Sequence, residues 1–136
     1  KTAYFLSGLK ALGRLTHHRI TGKLDGRPLK TEAMLAAIGL GRYFGGGMMI
    51  TPGASPQAGH FQVVLAQKLS RLELLGLLPG LYSGKHLDHP RITAAFAGQV
   101  TIHADPPADV EAEGELEGVT PIEVAIIPQA LRIAAP

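Results

Sequence analysis

The sequence predicts a mainly β fold, an antiparallel β-sandwich with one or two short helices. About seven short segments have strand-like patterns, and glycines and prolines separate them. Two segments have helical character, but strands and helices do not alternate along the chain, so a doubly wound parallel sheet is not expected. The 136 residues suffice for one domain with a buried core, and the 46% hydrophobic content is typical of a globular chain.

The first predicted element is a short amphipathic helix within residues 2–15. Four of its apolar side chains have nearly helical spacing: Tyr4, Phe5, Leu9 and Leu12. A hairpin follows, because Asp25-Gly26 is a strong signal for a tight turn between two strands. We expect its antiparallel strands at about 17–24 and 28–39.

A second helix is predicted to begin after Ser70, because Glu73 three residues later completes a capping box. Pro79 indicates that this helix ends around residues 78–82. Leucines cover most of its circumference. It is therefore either packed in the core or faces something apolar, such as a lipid or a membrane interface.

The remaining strand candidates are short apolar segments between turn residues: 60–67, 91–104, 108–113, 121–127 and 130–134. The segment 91–104 predicts one long strand or two short strands broken at Gly98. Gly114 and Gly118 mark turns near the end of the chain.

Composition excludes several classes of function. The net charge is only +2 and no dense Lys/Arg cluster occurs, so a nucleic-acid partner is not expected. The chain has no Cys, which excludes disulfides and thiolate metal sites and is compatible with a reducing cytosol. No apolar run approaches the length of about 18 residues that predicts a transmembrane helix.

The loop predicted for residues 40–59 contains three consecutive glycines at 45–47. Glycine runs can cradle phosphates, but the known nucleotide motifs are only approached here. Phe44 stands where Gly-x-Gly-x-x-Gly needs its third glycine, and the P-loop-like segment 79–86 lacks the first glycine and the Ser/Thr. We therefore favour the interpretation that these glycines allow tight turns and positive φ.

Two histidines, His86 and His89, have a spacing that can place two imidazoles side by side on a helix. Pro90 interrupts the segment, and no third ligand is close in sequence. Zinc sites need three or four ligands, so a structural or surface function is favoured over metal binding.

Five carboxylates alternate with other residues near the end of the chain: Asp109, Glu111, Glu113, Glu115 and Glu117. On a strand they would share one face and repel one another, as in a charged, solvated edge strand. The alternative is a carboxylate pair in a turn, placed to take a proton or hold Mg²⁺. Gly114 favours a turn at this point.

Three segments together resemble the diacylglycerol kinase/sphingosine kinase superfamily, in its bacterial lipid-kinase branch. "YFGGGMMITPGASPQAG" is similar to a Gly-Gly-Gly-Met…Pro-x-Ala segment of that family. "LSRLELLGLLPGLYSGKHLDHPRI" resembles the helix and Gly-Lys-His turn that follow. "VEAEGELEGVTPIEVAIIPQALRIAAP" resembles the closing segment with its Asp-Gly-Glu motif. The order and spacing agree across nearly the whole chain.

The resemblance implies a two-domain enzyme of which this chain is the C-terminal β-sandwich, without the strand that usually opens that domain. The N-terminal domain of such kinases carries a Gly-Gly-Asp-Gly-Thr motif, absent here, and binds most of the ATP and Mg²⁺. The expected partners are this N-terminal kinase domain and a lipid substrate at a membrane surface, with a homodimer as a further option. We expect a cytoplasmic protein peripheral to the membrane, and an inactive domain when it is isolated.

The family's Asp-Gly-Glu motif maps onto Glu113-Gly114-Glu115. The resemblance implies that Glu113 is the general base toward the lipid hydroxyl and that Gly114 and Glu115 lie close to the nucleotide and its Mg²⁺. Glu113 replaces the usual Asp, which changes the reach of the base. Ala58 stands where some relatives have a metal-binding Asp, so the structural Mg²⁺ of those relatives is expected to be absent. These two departures support an alternative, a non-catalytic β-sandwich that binds a lipid or a partner.

Overall fold

A two-residue turn at Asp25 and Gly26 joins the first two strands. In the structure, a computed structural model that describes residues 16–130, β1 (His18–Leu24) pairs with β2 (Arg27–Ala33) in antiparallel register. The φ angles of the two turn residues are 48° and 77°, as in a type I′ hairpin turn. The predicted hairpin is confirmed.

The strand predicted for 28–39 is two strands, so that prediction was wrong. The chain leaves the first sheet at Met34, and β3 (Leu35–Gly39) pairs in a different sheet. Met34 is buried, and its backbone N–H donates to the carbonyl of Ala66 at 2.8 Å. An extended run of residues does not reveal in its own sequence where it passes from one sheet to another.

A second such crossing lies at Gly98, between β5 (Ile92–Ala97) and β6 (Gln99–Asp105). The carboxylate of Asp25 accepts hydrogen bonds from the backbone N–H groups of Gly98 and Gln99 at 2.9 and 2.8 Å. The turn of the first hairpin thereby fixes this corner. Of the two alternatives predicted for this segment, the structure has two short strands broken at Gly98.

Two antiparallel sheets result. One has the order β2-β1-β6-β9, where β9 is Ile122–Ala125, and the other has the order β3-β4-β5, where β4 is Phe61–Ala66. The main core lies between them and consists of eight buried residues: Ile20, Ala33, Phe61, Val63, Leu65, Ala97, Val100 and Ile102. This is the β-sandwich that the sequence predicts.

The strand β4 is buried along its whole length, because the sheet that contains it is covered on both faces. On the side away from the main core, the Gln62 side chain accepts a hydrogen bond from the N–H of Gly53 at 2.7 Å. Ala66 contacts Met34 and Leu69 in a smaller apolar cluster there. The glycine-rich loop and the helix therefore form a third layer.

The helix α1 (Arg71–Leu81) begins at Ser70 with the predicted capping box. Ser70 N–H donates to the Glu73 carboxylate at 2.7 Å, and Glu73 N–H donates to Ser70 Oγ at 3.2 Å. The helix packs by one flank only, through Leu74 and Leu77, and none of its residues is buried. The expectation of a helix packed in the core is therefore met only for this flank. A 3₁₀ turn follows at Lys85–Asp88.

The last described strands form a separate two-stranded hairpin, β7 (Asp109–Ala112) and β8 (Glu115–Val119). The sequence predicted β7 and β9 but not β8. The predicted helix within 2–15 and all of 130–134 except Ala130 lie outside the described residues. Among residues 16–130 no helix has the length and apolar character needed to span a membrane.

Candidate functional site

Glu113 and Gly114 form the two-residue turn that joins β7 to β8. Their φ angles are 51° and 89°, both positive, and Ala112 pairs with Glu115 directly below the turn. Glu113, Gly114 and Glu115 are all exposed. The structure thus brings the three predicted site residues together at the tip of a hairpin and leaves their functional atoms accessible.

The carboxylate run is folded back on itself at this turn. Asp109 and Glu111 lie on one strand, and Glu115 and Glu117 lie on the other. A register shift between Val110 and Glu111 also breaks the alternation on β7. The five carboxylates therefore do not lie along one strand, although all five are exposed, and the turn predicted at Gly114 is present. A function of the carboxylates at this turn in proton transfer or Mg²⁺ binding stays a prediction.

The base of this hairpin is held more firmly than its tip. Thr120 is 8% exposed, its N–H donates to the carbonyl of Ala108 at 2.9 Å, and its Oγ1 accepts from the N–H of Ala108 at 3.1 Å. On the entry side, the Nδ1 atom of His18 lies 2.7 Å from the carbonyl oxygen of Pro106. The Thr120–Ala108 contacts close the base of the hairpin, and the His18–Pro106 contact connects its entry side to β1 of the sandwich.

The glycine run makes a tight reversal in the loop between β3 and β4. Phe44 and Met48 pair as an isolated antiparallel bridge, and the three glycines between them have φ angles of 30°, 52° and 91°. All three glycines are exposed. The expectation that they turn the chain is confirmed.

This turn and the Gly-Lys-His segment are in contact, although more than thirty residues separate them in sequence. Met49 N–H donates to the carbonyl of Leu81 at 2.6 Å. Gly84 has φ 77°, and a Cβ placed on it would lie 3.0 Å from Pro52 Cβ. Two of the three family-like segments therefore form one structural unit, which covers the outer face of β4.

His86 is a structural residue of that unit. It is 2% exposed, and its Nε2 lies 3.0 Å from the carbonyl oxygen of Ile50, so Nε2 carries the proton. His89 instead lies near Glu73, at 3.9 Å between Nε2 and Oε1. Residues 16–130 contain no group of three or more side chains placed to hold a metal ion. These positions agree with the structural interpretation of the His pair.

The surroundings of Ala58 are polar but contain no carboxylate from the loop itself. Ala58 is exposed in a turn, where its N–H donates to the carbonyl of Ser55 at 3.0 Å. Ser55 Oγ donates to the Gln57 side chain at 2.9 Å. The loss of a structural Mg²⁺ at Ala58 stays a prediction.

Comparison with known proteins identifies the domain. The family model of the YegS C-terminal NAD kinase beta sandwich-like domain matches residues 1–135. The chain belongs to this family. The expected membership in the bacterial branch of the diacylglycerol kinase/sphingosine kinase superfamily, as its C-terminal β-sandwich, is thereby confirmed.

Curated relatives of this YegS-type domain are longer proteins. A diacylglycerol kinase of Mycobacterium tuberculosis (strain CDC 1551 / Oshkosh) is 31% identical over 135 residues, which cover 98% of this chain and 43% of that protein. A diacylglycerol kinase of Staphylococcus carnosus (strain TM300) is 25% identical over 134 residues, covering 98% of this chain and 44% of that protein. The chain thus spans less than half the length of these relatives.

Solved structures share the fold of the YegS-type domain. A crystal structure from Bacillus anthracis str. Sterne aligns with a TM-score of 0.72 and 19% identity, covering 92% of this chain and 41% of that chain. A diacylglycerol kinase from the same organism aligns with a TM-score of 0.65 and 15% identity, covering 88% of this chain and 43% of that chain. At these identities the likeness concerns the fold.

Of the two alternatives predicted for the leucine-rich helix, packing in the core applies to one flank only, and the outer leucines of α1 are exposed to solvent. Leu72 is 81% exposed and Leu75 is 47% exposed. The signal was present, because leucines around the whole circumference of a short surface helix cannot all be packed on the core.

Proposed function

We propose that the full-length protein is an ATP-dependent lipid kinase that phosphorylates a lipid hydroxyl, diacylglycerol-like, and that this domain supplies one wall of the active-site cleft. The observation that carries this proposal is the match of the whole YegS-type domain to proteins named diacylglycerol kinase. The position of Glu113-Gly114-Glu115 on an exposed turn supports it further, because a carboxylate in a cleft between domains must project from its own domain.

Glu113 is the proposed general base. The lipid hydroxyl oxygen attacks the γ-phosphorus of ATP while the bond from that phosphorus to the β–γ bridging oxygen breaks. ADP leaves, and the hydroxyl proton passes to the Glu113 carboxylate. Glu is one methylene longer than the Asp of the family motif, and the exposed turn leaves room for that extra length. Geometry decides whether a base can act, so the position of this turn matters more than the residue type.

Glu115 and Gly114 are the proposed residues on the nucleotide side. Mg²⁺ prefers oxygen ligands and is typically held by one or two carboxylates together with phosphate oxygens, which fits the exposed carboxylate of Glu115. Bound there, Mg²⁺ would neutralise charge that develops on the transferred phosphoryl group. No atom lies within 4 Å of where a Cβ on Gly114 would be, so the backbone there is open to a phosphate.

The remaining part of the active site belongs, in this proposal, to an N-terminal kinase domain. Leu116 and Val119 on β8 are 72% and 57% exposed, beside the proposed catalytic carboxylates. Apolar side chains in such a position fit coverage by another domain or by the lipid. Phosphoryl transfer depends mostly on positioning and on charge stabilisation, so the isolated domain is expected to be inactive.

The test is ATP-dependent phosphorylation of lipids by the full-length protein. Vesicles containing diacylglycerol, phosphatidylglycerol, undecaprenol or a sphingoid base are offered in turn. Glu113→Gln, which keeps the size of the side chain, is expected to reduce kcat by about 10²–10⁴-fold. Glu117→Gln, an exposed carboxylate on the same strand as Glu115, serves as the matched control and keeps its activity.

Two other outcomes contradict parts of the proposal. Turnover that survives Glu113→Gln leaves a kinase whose base lies elsewhere. Absence of turnover with every lipid, while the protein still binds lipid, favours the non-catalytic binding module instead.

A further inference from the structure

An exposed apolar stripe runs along the outer face of α1. Its four residues recur at i, i+3, i+7 and i+10, the spacing that places side chains on one face of a helix. All four are exposed: Leu72, Leu75, Pro79 and Tyr82. The opposite flank packs on the small apolar cluster through Leu74 and Leu77. The helix is therefore apolar on two faces, and only one of them packs on the sandwich.

The glycine turn carries a second exposed apolar group next to the end of this helix. Tyr43 and Phe44 are 65% and 52% exposed. The strand segment that returns from the turn is attached to the helix end by the hydrogen bond from Met49 N–H to the carbonyl of Leu81. Leucine, phenylalanine and tyrosine are the residues that surface helices and loops insert at a lipid–water interface.

The charges on these two segments favour an anionic partner. Residues 40–49 and 68–85 contain four exposed cations and one carboxylate. The cations are Arg42, Lys68, Arg71 and Lys85. The carboxylate, Glu73, is engaged with its own helix cap and with Arg91, at 3.5 Å between Oε2 and Nη1. Exposed cations beside exposed leucines and aromatic residues are the composition of a surface that binds anionic membranes.

We propose that the membrane-facing surface, defined as the stripe of α1 together with Tyr43 and Phe44, binds an anionic lipid bilayer. Side chains of the stripe lie in the interfacial region, and the four cations contact lipid headgroup phosphates. This proposal deepens the proposed function, on which it rests for the need to reach a lipid substrate. Two other partners could cover this surface in place of a bilayer: another domain of the same protein, or a second copy of the chain.

The first experiment measures cosedimentation of the full-length protein with vesicles of phosphatidylcholine containing about one third phosphatidylglycerol. Leu72→Gln combined with Leu75→Gln is expected to weaken binding by at least about tenfold, since each leucine loses favourable apolar burial. Ile127→Gln is the matched control, because Ile127 is also highly exposed, at 77%, but lies outside the surface. Wild-type protein that fails to bind these vesicles overturns the proposal.

The second experiment tests the charges. Each cation near an anionic membrane contributes about fivefold to the binding affinity. Lys68→Glu combined with Arg71→Glu is therefore expected to weaken binding to the anionic vesicles by more than about tenfold. Lys23→Glu combined with Lys30→Glu has the same change in net charge but lies on β1 and β2, and is expected to bind like wild type. Equal losses in both pairs would mean that only net charge matters, and would overturn the assignment of this surface.

Failure of the surface and failure of the kinase function have different signatures. Vesicle binding is measured without turnover. If binding depends on the stripe but the protein phosphorylates no lipid, the membrane-facing surface stands and the proposed kinase function fails. The kinase function is tested apart from membrane binding with a short-chain diacylglycerol kept below its critical micelle concentration. The variant with Leu72→Gln and Leu75→Gln should phosphorylate this dissolved substrate at the wild-type rate. The proposal is overturned if this variant binds vesicles as wild type does. If light scattering instead shows that the variant has a different oligomeric state from wild type, the stripe is the contact surface for a second copy of the chain.

Discussion

The Nε2 atom of His86 lies 3.0 Å from the carbonyl oxygen of Ile50, and this buried hydrogen bond joins two segments that are 36 residues apart in sequence. We expect His86→Ala to cost about 1–3 kcal/mol, because it leaves the carbonyl without its donor and opens a cavity. The loop at 40–53 should then exchange its amide hydrogens faster and be cleaved more readily by proteases. Hydrogen exchange by mass spectrometry on the full-length protein measures both the size and the location of the effect.

His103 provides the control for that experiment, since it is an exposed histidine on β6. His103→Ala should change exchange in the loop very little. If His86→Ala leaves the loop as protected as in wild type, the Met49–Leu81 hydrogen bond and the packing of Pro52 on Gly84 are sufficient to hold it.

The glycine run allows a prediction that separates backbone geometry from side-chain space. Gly46 has φ 52° and Gly41 has no positive φ, and neither would have an atom within 4 Å of an added Cβ. Gly46→Ala is expected to cost about 1–2 kcal/mol through the left-handed backbone alone, whereas Gly41→Ala should stay within about 0.5 kcal/mol of wild type. The thermal unfolding midpoints of the two variants provide the comparison. Equal midpoints would show that the run tolerates another backbone conformation.

The cap of α1 predicts a loss of helix stability when its hydroxyl is removed. Ser70→Ala removes the acceptor for Glu73 N–H and should destabilise the helix by about 1 kcal/mol. Faster amide exchange in the first turn of α1 would report this loss, with exchange in β4 as the internal reference.

The charge on Glu73 makes part of this stability depend on pH. Hydrogen bonds from Ser70, first from its backbone and then from its side chain, hold the pKa of Glu73 below its ordinary value of 4.5, and Arg91 and His89 lower it further. A lowered folded-state pKa stabilises the fold above 4.5, and this contribution is lost as the pH falls through the folded-state value.

Glu73→Gln keeps a side chain that can complete a capping box but removes the charge. We therefore expect this variant to be less stable than wild type near neutral pH, and the difference to vanish in acid below the folded-state pKa. Urea unfolding monitored at several pH values gives the difference. Glu111→Gln, on an exposed strand position, corrects for the general change in charge.

How much of this fold could be predicted depends on the range of the interaction. The Asp25-Gly26 turn and the Ser70–Glu73 cap are local, and both were predicted from a few adjacent residues. The break at Gly98 is also local, and it was one of the two alternatives predicted for its segment. The crossing at Met34 was missed, because it depends on pairing with Ala66, which is distant in sequence. The strand β8 was missed because Gly118 was interpreted as a turn, although it pairs with Val110.

In the candidate site, too, local features were predicted and long-range contacts were not. The turn at Gly114 was predicted from the residue type, and its position on a two-stranded hairpin was not. The burial of His86 could not be predicted, because its partner Ile50 lies in a loop without regular spacing. The functional assignment of Glu113 came from the resemblance of three ordered segments, since an exposed carboxylate alone is most often only solvated.

The final prediction uses the backbone of Glu113 to separate its proposed catalytic function from its effect on the turn. Glu113 has φ 51°, an unfavourable conformation for a long side chain, and it occupies the first position of a turn in which Asn-Gly is strongly preferred. Glu113→Asn should therefore keep or raise the stability of the β7–β8 hairpin by up to about 1 kcal/mol, while it removes the proposed base.

Loss of lipid phosphorylation by Glu113→Asn, with an unchanged or higher unfolding midpoint, would be difficult to explain by damage to the fold, so the carboxylate itself would be required. Glu113→Asp tests reach, since it restores a carboxylate that is one methylene shorter, as in the family motif. Activity close to wild type in Glu113→Asp together with inactivity in Glu113→Asn would assign the function to the charge. Activity in both variants would remove Glu113 from the mechanism and leave the turn geometry as its only contribution.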